Sequence, residues 1–255
     1  MHLAWAVLVL VGGCNQQTSP PPAANSPTNP ATASPTAANT SATQSHQALA
    51  SPFGLMGLTK AATLTEARAK AEAGDSEMQA TLAIFYHLGL GVEQNYEEAV
   101  KWLRKAAEQG NAMGQAFLGG AYQAGEGVAK DEAEAVKWYR KSAEKGNGFG
   151  QMLLGFAYQG GSGVAKDEVE AVRWFQKSAD QGNPSAQLAL GACYRSGQGV
   201  TKNNVEAYRW FSLAADQGNQ NDQERVAAVA KEMTSGQIAE AQRLVREFKP
   251  RKTPE

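Results

Sequence analysis

No aspartate, glutamate, lysine or arginine occurs in this 255-residue chain before Lys60. Cysteine is scarce too, with only Cys14 and Cys193. Two cysteines exclude a disulfide-stapled scaffold. With only three scattered histidines, His2, His46 and His87, they also argue against a structural zinc site. There is no basic excess, since Lys and Arg number 24 against 25 Asp and Glu. Nothing in the charge balance therefore advertises nucleic acid. The N-terminal apolar run, Leu3 to Val11, has nine residues, well short of the about 20 that a membrane-spanning helix needs.

That short run suits the hydrophobic region of a secretory signal. It ends at Val11-Gly12-Gly13-Cys14, which resembles the lipobox of bacterial lipoproteins. The resemblance implies that residues 1–13 are a removable signal and that Cys14 carries the lipid. It also implies a bacterial cell-envelope protein, membrane-bound through that lipid. Asn15, rather than Asp, follows the cysteine, which in enterobacterial-type sorting favours the periplasmic face of the outer membrane. One feature departs from the pattern: no Lys or Arg precedes the apolar run. The stretch that follows, 14–59, is rich in Pro, Ser, Thr, Ala, Asn and Gln and carries no charge. Such a segment buries too little apolar surface to offset chain entropy, so it reads as a disordered tether. About 45 flexible residues reach roughly 35–40 Å, enough to hold a folded domain off a membrane.

From Asp75 the chain repeats every 36 residues, in blocks 75–110, 111–146, 147–182 and 183–218. A period in this range marks a solenoid. Each block reads as two helices. The first carries Gln, Leu, a small residue and Tyr on one face: Gln79, Leu82, Ala83, Tyr86; Gln115, Leu118, Gly119, Tyr122; Gln151, Leu154, Gly155, Tyr158; Gln187, Leu190, Gly191, Tyr194. A mid-helix glycine costs about 0.5–1 kcal/mol relative to alanine, so three in one column argue for close helix approach. A Gly-x-Gly-Val turn follows, its second glycine at Gly91, Gly127, Gly163 and Gly199. No strand precedes it, so it does not read as a nucleotide loop. The second helix opens on Asn95, Asp131, Asp167 or Asn203, with Glu three residues on, as in a capping box. It then carries Trp102, Trp138, Trp174 and Trp210 in register, expected to wedge between neighbouring units.

The unit Q-x-x-L-G-x-x-Y-x-x-G-x-G-V, followed by [ND]-x-x-E-A-x-x-W-x-x-x-A-A-x-Q-G-N, resembles the Sel-one-like repeat family, a branch of the tetratricopeptide-like solenoids. That implies an all-α fold, a right-handed α-solenoid of helix-turn-helix repeats, preceded here by the disordered tether. Residues 60–74 are expected to form an N-terminal capping helix, 219–248 a closing helix pair and 249–255 a tail, because array ends need a polar outer face.

In such arrays the first helices line the concave side. The varying positions there include Thr81 and Ile84, Met113 and Phe117, Phe149, Leu153 and Phe156, and Ala189. The resemblance makes them candidates for a groove that takes a helix or extended peptide. The alternative, that the phenylalanines fill gaps between first helices, stays open. His87 shares a column with Gln123, Gln159 and Arg195 and reads as a surface position; Cys193 shares one with Phe85, Ala121 and Ala157 and reads as a buried small hydrophobe. Glu97 and Lys101 are spaced for a helical ion pair.

The expected function is a non-enzymatic scaffold for a protein or peptide partner, with no cofactor, no metal and no catalytic set. An enzyme is the alternative, since secreted cysteine-rich relatives in the family are linked to β-lactam hydrolysis and cell-wall binding. Those relatives carry paired cysteines within each unit, which this chain lacks. It also lacks a triad, a clustered carboxylate pair, or a Ser-x-x-Lys placed as a catalytic site needs. Peptidoglycan is a third candidate ligand.

Overall fold

The computed structural model describes residues 64–216 and 220–251. The signal, Cys14 and the uncharged segment lie outside the described residues. Among those described there are eleven helices and no strand. A single helix, α1 (Leu64–Glu72), leads. Four pairs follow: α2 (Ser76–Leu88) with α3 (Tyr96–Glu108), α4 (Ala112–Ala124) with α5 (Glu132–Glu144), α6 (Gly148–Gly160) with α7 (Glu168–Asp180), and α8 (Pro184–Ser196) with α9 (Asn204–Ala215). Helices α10 (Gln220–Ala230) and α11 (Ser235–Glu247) close the array. First helices begin at 76, 112, 148 and 184, and second helices at 96, 132, 168 and 204, so both keep the 36-residue period.

Caps set these boundaries. Asp75, Asn111, Asn147 and Asn183 accept from first-turn amides of the first helices, and Asn95, Asp131, Asp167 and Asn203 do so for the second. Each first helix ends on a glycine in the left-handed region: Gly89, Gly125, Gly161 and Gly197. The expected reciprocal bond from Glu to the cap does not form at the second helices. There the cap amide is already used: Asn95, Asp131, Asp167 and Asn203 each donate from N to the carbonyl of Tyr86, Tyr122, Tyr158 and Tyr194 at 2.9 Å. The glutamates turn outward to the residue three positions on, giving Glu98–Lys101, Glu134–Lys137, Glu170–Arg173 and Glu206–Arg209 pairs. Lys101 thus pairs with Glu98 rather than with Glu97. A complete capping box does occur at α11, between Thr234 and Gln237.

Inside each pair the small-residue column makes room for a ring. A Cβ on Gly119, Gly155 or Gly191 would stand 2.6, 2.6 and 2.7 Å from Tyr139, Phe175 and Phe211. In the first repeat Ala83 occupies the glycine position, and the ring position is held by the smaller Leu103. Between repeats, the second glycine of the turn is the contact point. A Cβ on Gly127, Gly163 or Gly199 would overlap the backbone carbonyl of Tyr96, Glu132 or Glu168, the first residue of the preceding second helix.

Polar columns add to this. Gln79, Gln115, Gln151 and Gln187 are buried and donate from Nε2 to the carbonyls of Ala71, Ala107, Ala143 and Ala179 at the end of the preceding helix. Each of those carbonyls also accepts from the glycine amide that follows the helix, at Gly74, Gly110, Gly146 and Gly182, so the glutamine is a second donor that ties the helix end to the next repeat. Arg68, Arg104 and Arg140 reach forward to the hydroxyls of Tyr86, Tyr122 and Tyr158 at 2.8–3.1 Å. The core thus runs along the array: consecutive helices pack on one another from α1 to α10, α11 packs back on α9, and α2 meets α4 and α4 meets α6 across the repeats. No helix among the described residues is long and apolar enough to cross a membrane.

Candidate functional site

The residues proposed to form a groove on the first helices divide by depth. Leu153 is 7% exposed and belongs to the core. Phe156 is half-buried and meets Phe175 edge-on, with ring centroids 4.9 Å apart. Thr81, Ile84, Phe117, Phe149 and Ala189 are half-buried, whereas Met113 is exposed. Phe117 on α4 and Phe149 on α6 face each other across the repeat boundary, 5.5 Å between centroids. The structure therefore brings Phe117 and Phe149 together, with Met113 one helical turn before Phe117, and draws Leu153 inward.

The tryptophans are a second recurring surface. Trp102, Trp138 and Trp174 are half-buried, each with the ammonium of a lysine three residues on over its ring, at 4.0, 3.9 and 3.8 Å for Lys105, Lys141 and Lys177. Trp210 differs. It is fully buried, the lysine position is Leu213, and Phe248 stands edge-on to it at 5.8 Å. Trp138 lies at the junction of the first two repeats, in a cleft of about 550 Å³ lined also by Ala107, Gln115 and Lys145.

His87 is not a surface residue. Its ring packs on Tyr96 at 5.1 Å, and its Nδ1 lies 3.8 Å from the largely buried carboxylate of Glu126 in the next repeat. Burial pushes the imidazole below its ordinary pKa, and burial raises that of the Tyr96 hydroxyl. Within the first repeat, Gln94 Nε2 donates both to His87 O at 2.7 Å and to the Tyr96 hydroxyl at 3.0 Å. Cys193 is buried as a small hydrophobe, with Gln159 Nε2 3.9 Å from Sγ. Ser142, which has a Lys three residues on, is no exposed nucleophile: it is fully buried and donates to the carbonyl of Ala112.

Several of these features were missed in the sequence. The ring column at Tyr139, Phe175 and Phe211 directly follows the tryptophans and was masked by them. The arginine column at 68, 104 and 140 keeps the 36-residue period, which is a usable signal. The docking of Phe248 has no local signature.

Comparison with known proteins agrees with this architecture. The family model for the Sel1 repeat matches at residues 76–111, 112–147, 148–183 and 184–219. Among solved structures, a Sel1 repeat protein from Oxalobacter formigenes is 35% identical, with a TM-score of 0.58, over 65% of this chain and 48% of the other. A protective antigen of uropathogenic Escherichia coli strains, displaying an SLR fold, is 32% identical over 72% of this chain and 48% of the other, with a TM-score of 0.49. Cysteine-rich protein B of Helicobacter pylori is 23% identical over 51% of this chain and 94% of the other, with a TM-score of 0.42. The chain thus spans about half the length of the first two. No curated protein matches it. Proteins built of such repeats generally mediate protein–protein interaction, typically without catalysis. Four tandem matches, on four helix pairs of one period, make this chain a member of the Sel1 repeat family.

Proposed function

We propose that this chain is a non-catalytic scaffold that binds a protein or peptide segment across its first helices, tethered to the bacterial envelope by a lipid on Cys14. The observation that carries the binding surface is the Phe117–Phe149 ring pair, half-buried on two successive first helices beside the exposed Met113. Apolar side chains held on a rigid stack, with part of their surface left in water, suit an incoming helix or strand at little ordering cost. The tether reading is supported by the lipobox-like Val11 to Cys14 and the uncharged stretch behind it.

The test is a pair of substitutions, Phe149→Ser and Phe156→Ser, followed by melting and by crosslinking from membranes. Loss of a crosslinked partner with Tm unchanged supports the surface. A large fall in Tm assigns both rings to the core and removes the groove. A Cys14→Ala control is expected to leave the membrane fraction, and its retention there would contradict the tether.

A further inference from the structure

We propose that the cleft at Trp138 is a second docking site, and that its ligand is an extended partner segment with an aromatic side chain three residues before an arginine. The array already holds one such segment. Beyond α11 the chain turns extended at Phe248 and runs back over the last repeat. Phe248 stands edge-on to Trp210. Pro250 packs over Gly182, its Cβ 3.5 Å from where a Cβ would stand. Arg251 donates from N to the carbonyl of Asp180 at 2.7 Å, and its guanidinium lies 3.7 Å from that carboxylate.

Moved back by two repeats, the residues that receive this tail become Glu108, Gly110 and Trp138. All three line the open cleft. The surface that receives an aromatic-x-x-arginine segment at one end of the array therefore recurs, vacant of any segment of this chain among the described residues, at its first junction. Glu108 matches Asp180 in charge and suits the arginine, whereas over Gly110 the exposed Lys145 side chain, its Nζ 3.1 Å from where a Cβ would stand, takes the place that Pro250 holds over Gly182 and must swing aside to admit the segment. Two differences mark the recurring site. Lys141 covers the Trp138 ring, whereas Trp210, with Leu213 in the lysine's place, meets Phe248 edge-on and carries the Arg209 guanidinium at 4.6 Å. That lysine is exposed, and an aromatic ring can take its place.

The other difference is Lys145. One repeat further on, the same position is Gln181, which donates to Gln151 Oε1 at 2.8 Å and to Gly146 O at 3.0 Å, tying the junction shut. Gln109 likewise donates to Gln79 Oε1 at 2.7 Å. With lysine at 145 this tie is missing, and Gln115 Oε1 is buried without a hydrogen-bond partner. The equivalent Gln187 Oε1 is unpaired beneath the tail as well, so the two sites share this floor.

The test uses the full chain and a fluorescein-labelled synthetic peptide, VREFKPRKTPE, read by anisotropy. Saturable binding is expected, weakened about tenfold or more by Phe→Ala in the peptide and by Trp138→Ala in the protein. Because Trp138→Ala removes packing as well, Lys145→Gln is the second variant. It restores the glutamine tie, so it is expected to keep or raise Tm while weakening the peptide by a similar factor. No saturation by about 1 mM overturns the proposal. So does binding indifferent to both protein variants, which would place the peptide at Trp210 by exchange with the chain's own tail. Self-association of the chain, abolished by Lys145→Gln, would make the occupant a second copy and overturn the partner assignment. This site does not depend on the first-helix surface: Phe149→Ser tests that surface and Lys145→Gln tests this one, so either can fail alone.

Discussion

At Gly119 one hydrogen atom stands where the ring of Tyr139 leaves no space for a methyl group. Gly119→Ala therefore overpacks the pair and is expected to cost about 1–3 kcal/mol. The first repeat supplies the remedy, because Ala83 there goes with Leu103. Adding Tyr139→Leu to Gly119→Ala is expected to recover part of the loss, and a double-mutant cycle read by denaturant melts should show coupling of about 1 kcal/mol or more. Additive effects would mean that the two columns do not compensate. Gly127 and Gly91 give a second comparison. Both have φ near +70°, so alanine strains both backbones by about 1–2 kcal/mol. Only at Gly127 does a Cβ also overlap a neighbour's carbonyl; at Gly91 the nearest atom is a Leu64 methyl at 3.7 Å. Gly127→Ala should thus lose clearly more than Gly91→Ala, a total above about 3 kcal/mol. The sequence made the need for these glycines legible, since a glycine recurring three times inside a helix, against propensity, and four times in a turn has few other causes. It did not show what they avoid. Tyr139 lies in another helix and Tyr96 in another repeat, and one-dimensional spacing does not report which element packs on which.

Helix boundaries were the most legible feature at the scale of elements, because caps are local: an Asn or Asp side chain bonds to amides two or three residues away. The reciprocal glutamate bonds did not form for a non-local reason. Carbonyls of Tyr86, Tyr122, Tyr158 and Tyr194 reach the cap amides first. His87 was misplaced likewise, since its column is polar in the other repeats, yet Tyr96 and Glu126 enclose it here. The tail from Phe248 was the least legible element, as it has neither period nor motif. Its role predicts that truncation after Glu247 leaves Trp210 only half-buried, like Trp102, Trp138 and Trp174. Emission should shift to the red, and stability should fall by about 1–3 kcal/mol for the lost aromatic contact. Emission unchanged from the full chain would show that Phe248 does not cover that indole.

At the scale of the whole molecule the repeats touch through a recurring set of contacts: glutamine to helix-end carbonyl, glycine to backbone, and arginine to tyrosine at every junction but the last, where Gln176 replaces the arginine and bonds Asp180. Stability in such an array is close to a sum of units and junctions. The candidate binding surfaces depend on that stack, because Phe117 meets Phe149, and the Trp138 cleft forms, at junctions between repeats. Deleting residues 112–147 tests this most directly. The deletion removes one full period, so Asn111 takes over the cap of Asn147, Arg104 meets Tyr158, and Gly163 abuts Tyr96. Circular dichroism with thermal melting is expected to show a folded, cooperative, helical protein whose Tm falls without collapse. A chain that loses its helical signal on this deletion, while the full chain keeps it, would contradict a fold built from interchangeable neighbour contacts.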